Sequence, residues 1–175
     1  MVDLSLHIQD LCENCFTAKA TTVKVEITST NEYYEIAIID NGCGMSEETK
    51  NKVSSPFTTS RTVRKVGLGI PLFIQTCEQT GGFVTINSVL GCGTTITGRM
   101  YKNHIDAIPL GNLVETVYLL FITNDQVEVG FKYNDFYVNS KELREILGDV
   151  PLTEKSVMEW IKAYIDEGIN SQNSK

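Results

Sequence analysis

Apolar residues recur at Leu4, Ile8, Leu11, Cys15 and Ala18, at intervals of four, three, four and three, the period of a helix that buries one face. Beside that face His7, Asp10, Asn14 and Thr17 repeat at three, four and three, so a carboxylate and an amide one turn apart share an edge. The period then changes to two. "TVKVEITS" and "YYEIAIID", separated by "TNE", read as a hairpin rich in β-branched and aromatic residues. After Asp40 and "NGCGM", Ser46 can cap a short helix whose first turn carries Glu47 and Glu48. "VSSPFTTSRTVRKVGLGIP" has neither period and reads as a long loop, a length common in functional loops. Pro71 suits the first turn of the next helix, in which Ile70, Phe73, Ile74 and Cys77 are apolar and which Gly81 and Gly82 stop. "FVTINSV" and "TTITGRMY" are two more strands, joined by "LGCG". These elements predict an α+β fold, a two-layer sandwich with helices on one face of a sheet.

Beyond Pro109 the pattern predicts a helix over 110–122 and a strand in which Val127, Val129, Phe131 and Tyr133 alternate with polar residues or glycine. A turn at Asn134 and Asp135 returns the chain as "FYVN". Ser140 is expected to cap a short helix ending at Gly148, and Thr153 a second one with Val157, Trp160, Ile161, Tyr164 and Ile165 on one face. Residues 105–168 thus form a small α/β extension, packed on the main sheet or standing as a subdomain, and 169–175 a disordered tail.

A chain of 175 residues with 42% apolar side chains can build one core without disulfide or metal staples. Its apolar runs, such as "VYLLFI" at 117–122, fall well short of the roughly 20 residues that span a bilayer. The start, "MVDLSLHIQD", lacks the basic and apolar regions of a secretory signal, so a cytoplasmic protein is expected. The net charge of −7 lies mostly in residues 101–175 and argues against nucleic acid and anionic membranes as partners. Five cysteines without a second pair at zinc-finger spacing are expected to be reduced thiols, mostly buried.

Three segments carry candidate chemistry. Asp40 ends a strand, and an ionised carboxylate there accepts a hydrogen bond such as an adenine exocyclic amine donates. Gly42 and Gly44 let a flat ligand approach the backbone, with Met45 to pack on its ring. Alone, this segment reads equally as a glycine turn with a capping Asp. Arg61, Arg64 and Lys65 precede Gly67 and Gly69 at the mouth of a helix, the composition of an anion site, without the Lys-Ser or Lys-Thr of a Walker loop. Asn14 offers one neutral oxygen, suited to a magnesium ion that otherwise holds phosphates and water, and Asp10 could orient a water or accept a proton.

Together "DLCENCFTA", "DNGCGM", "PFTTSRTVRKVGLGIP" and "GCGTTITG" resemble, in order and spacing, the GHKL superfamily of gyrase, heat-shock chaperone, histidine kinase and MutL ATP-binding domains. The loop "PFTTSR" followed by "GLGIP" is most similar to the catalytic module of bacterial histidine kinases. The resemblance implies a Bergerat-type fold with a mixed sheet over 1–104, and ATP and Mg2+ as cofactors. It implies that Asn14 binds the metal and Asp40 reads adenine, that Gly42, Gly44 and Met45 wall the adenine pocket, and that Thr94 helps hold the base. Gly67, Leu68 and Gly69 match the phosphate-side motif, and Thr58, Arg61 and Lys65 belong to a lid over the phosphates. Asp10 stands where hydrolysing members carry Glu, one methylene longer, and is the candidate catalytic residue. The chain begins on the Asn-bearing helix with no preceding phosphoacceptor hairpin, so a short stand-alone ATP-binding protein is expected rather than a complete sensor kinase.

Two activities follow from the resemblance. One is slow ATP hydrolysis or γ-phosphoryl transfer to a protein partner. The other is an ATP-gated protein-binding module with little catalysis. A protein partner is expected in either case, and a homodimer is left open.

Overall fold

The structure is a computed structural model and describes residues 2–55 and 67–175. In chain order its elements are α1 (Leu4–Thr17), β1 (Thr22–Ser29), β2 (Tyr33–Asp40), α2 (Glu47–Ser54), α3 (Gly69–Gln79), β3 (Phe83–Val89) and β4 (Gly93–Tyr101). They continue with α4 (Leu113–Thr123), β5 (Glu128–Tyr133), β6 (Phe136–Asn139), α5 (Ser140–Leu147) and α6 (Lys155–Asn173). The helical period in the first segment and the alternation in the next two therefore become α1, β1 and β2 where the pattern places them.

The strands form one six-stranded sheet in the order β3-β4-β2-β1-β5-β6. The hairpins are antiparallel, but β5 lies parallel to β1, with Val23 opposite Val129 and Val25 opposite Phe131. The sheet is therefore mixed, and the fold is the α+β sandwich expected of a Bergerat-type domain. The segment after Pro109 does not stand apart, because β5 and β6 continue the same sheet. Val23, Val25 and Ile27 of β1 and Ile36 and Ile38 of β2 point to the helices and are buried with Leu4, Ile8 and Leu11 of α1 and Phe73 of α3. The other face is more polar. There Arg99 pairs with Glu35 at 2.6 Å and lies 3.9 Å over the Tyr33 ring.

Local chemistry fixes the element ends. Asp3 caps α1 by accepting from the Leu6 amide, and Ser46 caps α2 as expected. Three boundaries differ from the sequence reading. α4 begins at Leu113 because Asn112 caps it after Gly111 takes φ +83, and Asn139 and Glu154, not Ser140 and Thr153, cap α5 and α6. In each case the side chain that reaches the free amides is one or more residues from the expected position.

The expected disordered tail over 169–175 is corrected: α6 continues to Asn173. Ile161, Ile165 and Ile169 carry the buried stripe one turn further, and Tyr133 donates its hydroxyl to Asn173 at 2.8 Å. The stripe supplies the packing that a polar ending alone lacks.

His7 lies on the α1 edge that the sequence marks, and that edge is covered at this point. It is fully buried between α1 and α3, with Nε2 2.9 Å from the Thr76 hydroxyl and its ring 5.7 Å from Phe73. Burial pushes its pKa down from 6.5 to about 4. The folded state binds the proton less readily than the unfolded chain. Stability is therefore fully present above pH 6.5 and is expected to fall by up to about 3 kcal/mol as the pH drops toward 4. Denaturant melts from pH 7 to 4.5 check this, with His7→Gln losing stability at pH 7 but showing a flatter acid limb.

A candidate nucleotide site between two glycine loops

The site grows from the end of β2. Asp40 pairs across the sheet with Thr94 of β4, and Thr94 pairs with Ser88 of β3, so three polar side chains stand in one row at the sheet end. The Gly42 amide donates to Asp40 Oδ1 at 2.8 Å. One carboxylate oxygen is thus used to hold the loop. Gly42 is required for this closure: a Cβ there would lie 2.8 Å from the Ala18 carbonyl and 2.9 Å from Asp40 Oδ1. Gly44 adopts φ +68, and a Cβ would sit 2.1 Å from the Val89 carbonyl oxygen, so the loop after β2 lies flat on the β3–β4 turn.

Ser88 ties these parts together and was not among the residues the sequence singled out. Its buried hydroxyl accepts from the Met45 amide at 2.7 Å, lies 2.8 Å from the Thr94 hydroxyl and 3.2 Å from the Gly93 carbonyl. Asn41 was missed as well. Its Oδ1 accepts from the Thr21 and Thr22 amides at 2.9 and 3.0 Å, fixing the start of β1 against the loop. Both are small polar residues in apolar or glycine-rich surroundings. A serine in phase with Thr94, six residues before it across a tight turn, was the available signal.

Asn14, Cys15, Asp40, Gly44, Met45 and Thr94 line one open cavity of about 390 Å³, together with residues that include Leu11, Ile70, Leu90 and Ile96. That volume lies within the range of small-molecule sites, and the walls are largely apolar with a few polar groups, as such sites require. Cys15 donates to the Leu11 carbonyl at 3.3 Å, and burial pushes its thiol well above the ordinary range, so it serves as an apolar wall.

On the Asn14 side α1 meets the start of α3. A Cβ on Gly67, which has φ +70, would come 3.8 Å from Asn14 Oδ1, and one on Gly69 would come 3.3 Å from the Asp10 Cβ. The polar edge of α1 and the second glycine motif thus lie side by side. Among the described residues no side chain caps the first turn of α3, where Leu68 stands at the N-cap. Leu68 contributes differently from the glycines. It is well exposed, and its side chain lines a neighbouring groove between α2 and α3 with Val53, Pro71 and Leu72. Thr58, Arg61 and Lys65 lie outside the described residues.

The donor set suits a hard cation that brings its own oxygens. Among the described residues no group of three or more His, Cys, Asp or Glu side chains forms a metal cage. Asn14 lies at the cavity wall half-buried, and its side-chain nitrogen is buried with no hydrogen-bond partner among the described residues. That nitrogen is a donor and stays under-satisfied until an acceptor such as a phosphate oxygen or a water reaches it, while Oδ1 is the atom that a cation would take.

Sensor kinase CckA of Brucella abortus is 35% identical over 65 residues, covering 37% of this chain and 7% of that protein. Histidine protein kinase DivJ of Caulobacter vibrioides is 30% identical over 89 residues, covering 49% and 15%. The chain thus spans a small part of the length of these relatives. Among solved structures, the catalytic domain of histidine kinase ThkA matches with a TM-score of 0.42 and 20% identity, covering 55% of this chain and 65% of that one. Residues 2–103 match the profile described as histidine kinase-, DNA gyrase B-, and HSP90-like ATPase, and the chain belongs to that family of ATP-binding domains.

Proposed function

We propose that the protein binds Mg-ATP with adenine against Asp40 and Thr94 and the triphosphate toward Asn14, Gly67 and Gly69. The γ-phosphoryl group then passes to a protein partner or, slowly, to water. The observation that carries this reading is the cavity itself, with a carboxylate at one wall and an unsatisfied buried amide at another. One oxygen of Asp40 holds Gly42, and the second accepts from the exocyclic amine. Met45, Leu90 and Ile96 supply the apolar faces around the ring. Asn14 would hold Mg2+, whose contribution when bound is to neutralise charge on the phosphates. Asp10, beside Gly69 and one turn before Asn14, orients the attacking nucleophile or takes its proton.

Asp10→Asn is expected to keep the ATP affinity of the parent protein and to lower turnover by roughly 100-fold or more. Calorimetry gives the affinity, and phosphate release together with radiolabel transfer to lysate proteins gives the turnover. Equal turnover in the variant removes Asp10 from the mechanism.

A second reading is favoured by the length of Asp10, which is one methylene short of a glutamate. In it, ATP binding alone changes the surface offered to a partner. ATP affinity without phosphate release or transfer from the parent protein selects this reading.

A further inference from the structure

Ser88 is buried outside the cavity wall, yet it bonds to two residues that form that wall, Met45 and Thr94. In the ladders Ser88 lies opposite Thr94 and Thr94 opposite Asp40, and residues directly opposite one another share a face of the sheet. The three side chains therefore form one row, in which Ser88 acts on a ligand only through its neighbours. The protons of this row can be counted. The Met45 amide donates to Ser88 Oγ at 2.7 Å, so the hydroxyl proton points elsewhere. Two acceptors stand within reach, the Gly93 carbonyl at 3.2 Å and Thr94 Oγ1 at 2.8 Å. O–H···O bonds run from roughly 2.5 to 3.0 Å, so the Thr94 contact is the stronger. With the Ser88 proton there, Thr94 keeps its own to donate to a ligand in the cavity it lines. Thr94 also carries a methyl group on the same carbon as its hydroxyl, and its rotamer decides which of the two stands in which place. The bond to Ser88 makes that choice.

We propose that Ser88 is a specificity-determining positioning residue for the base: it holds the Thr94 hydroxyl as a donor beside the Asp40 carboxylate, and the pair selects a purine whose exocyclic amine adjoins an unprotonated ring nitrogen. This rests on the ATP site proposed above and deepens it. The ionised Asp40 has no proton to give and accepts from the amine. The neighbouring ring nitrogen is itself an acceptor and needs a donor, which Thr94 supplies. Without Ser88 the hydroxyl and methyl groups of Thr94 exchange places freely, and the Met45 amide loses its acceptor. These two losses differ in what they cost. A slackened Met45 loosens the contact with any ring of that shape, whereas a turned Thr94 removes a bond that only the ring nitrogen can make.

The test begins with calorimetric titration of ATP and Mg2+ into the parent protein. Absence of binding there defeats the ATP reading itself, independently of Ser88. Parent, Ser88→Ala, Ser88→Thr and Thr94→Val are then titrated with ATP and with 1-deazaadenosine triphosphate, which carries C–H in place of the ring nitrogen beside the amine. The parent is expected to favour ATP by at least about fivefold, the equivalent of one hydrogen bond. That preference should fall to within about twofold in Ser88→Ala and in Thr94→Val, and persist in Ser88→Thr, which keeps the hydroxyl. Ser88→Cys, with a weaker donor and acceptor of similar shape, gives the same reading if the alanine variant does not fold. A Ser88→Ala protein that binds both nucleotides more weakly but keeps the preference makes Ser88 a structural brace and overturns the inference. So does a parent protein without the preference, and either result leaves the ATP site intact.

Discussion

Asp40→Asn weakens ATP binding by roughly 10- to 100-fold in isothermal titration, the equivalent of one lost hydrogen bond to a charged group. The size of the effect follows from counting acceptors. The carboxylate has two oxygens, one of which already accepts from the Gly42 amide at 2.8 Å. Asparagine has one oxygen and one NH2 group. It can hold Gly42 or accept from the adenine amine, but not both, and in either case its own NH2 faces a donor. The fold should survive, because Asp40 keeps its place opposite Val23 and Thr94 through the backbone ladders of β1, β2 and β4, which the substitution does not touch. A melting temperature near that of the parent, measured alongside the titration, separates loss of a contact from loss of structure. An unchanged dissociation constant would remove Asp40 from adenine recognition.

The second large effect is on stability. Gly93→Ala places a methyl group 2.1 Å from the Asp40 carbonyl oxygen and 2.8 Å from the Asn41 α-carbon, at a residue with φ +115. Backbone atoms cannot swing aside as a flexible side chain can, and an L side chain is strained at that φ. The turn must move, and with it the carbonyl that Ser88 bonds and the Thr94 that follows. A loss of about 3 kcal/mol is expected, which lowers the melting temperature by roughly 6–12 °C for a domain of this size. ATP affinity should fall as well, since the displaced atoms belong to Asp40. Gly91→Ala is the control: its φ is also positive at +82, but a Cβ there meets nothing within 4 Å, so only the backbone strain remains.

The contrast between these residues shows what the sequence could reveal. Periodicity placed α1, β1, β2 and α3, because Leu4, Ile8 and Leu11, or Val23, Val25 and Ile27, bury on one face and need no knowledge of their partners. Spacing and family resemblance together pointed to Asn14, Asp40, Gly44, Met45 and Thr94, which the structure gathers around one cavity. Ser88 escaped because its role depends on which strand lies beside which, and the register that sets it against Thr94 is a tertiary fact. The burial of His7 escaped for a related reason. The α1 edge looks open in one dimension, and the helix that covers it, α3, arrives through Phe73 and Thr76 more than sixty residues later. The parallel pairing of β5 with β1 was equally invisible, since a strand pattern carries no sign of its neighbour. The tail was misread because its polar letters hid the one apolar residue, Ile169, that continues the stripe of α6.

If adenine is read at Asp40 within this cavity, the protein must distinguish ATP from inosine triphosphate. The two differ at the purine position that Asp40 would contact: ATP presents an amine that donates, inosine triphosphate a carbonyl that accepts and would face the carboxylate. Calorimetric titration of both into the reduced protein with Mg2+ should show ATP binding at least about tenfold more tightly, with the gap closing in Asp40→Asn. Equal affinities for the two nucleotides in the parent protein would contradict the account.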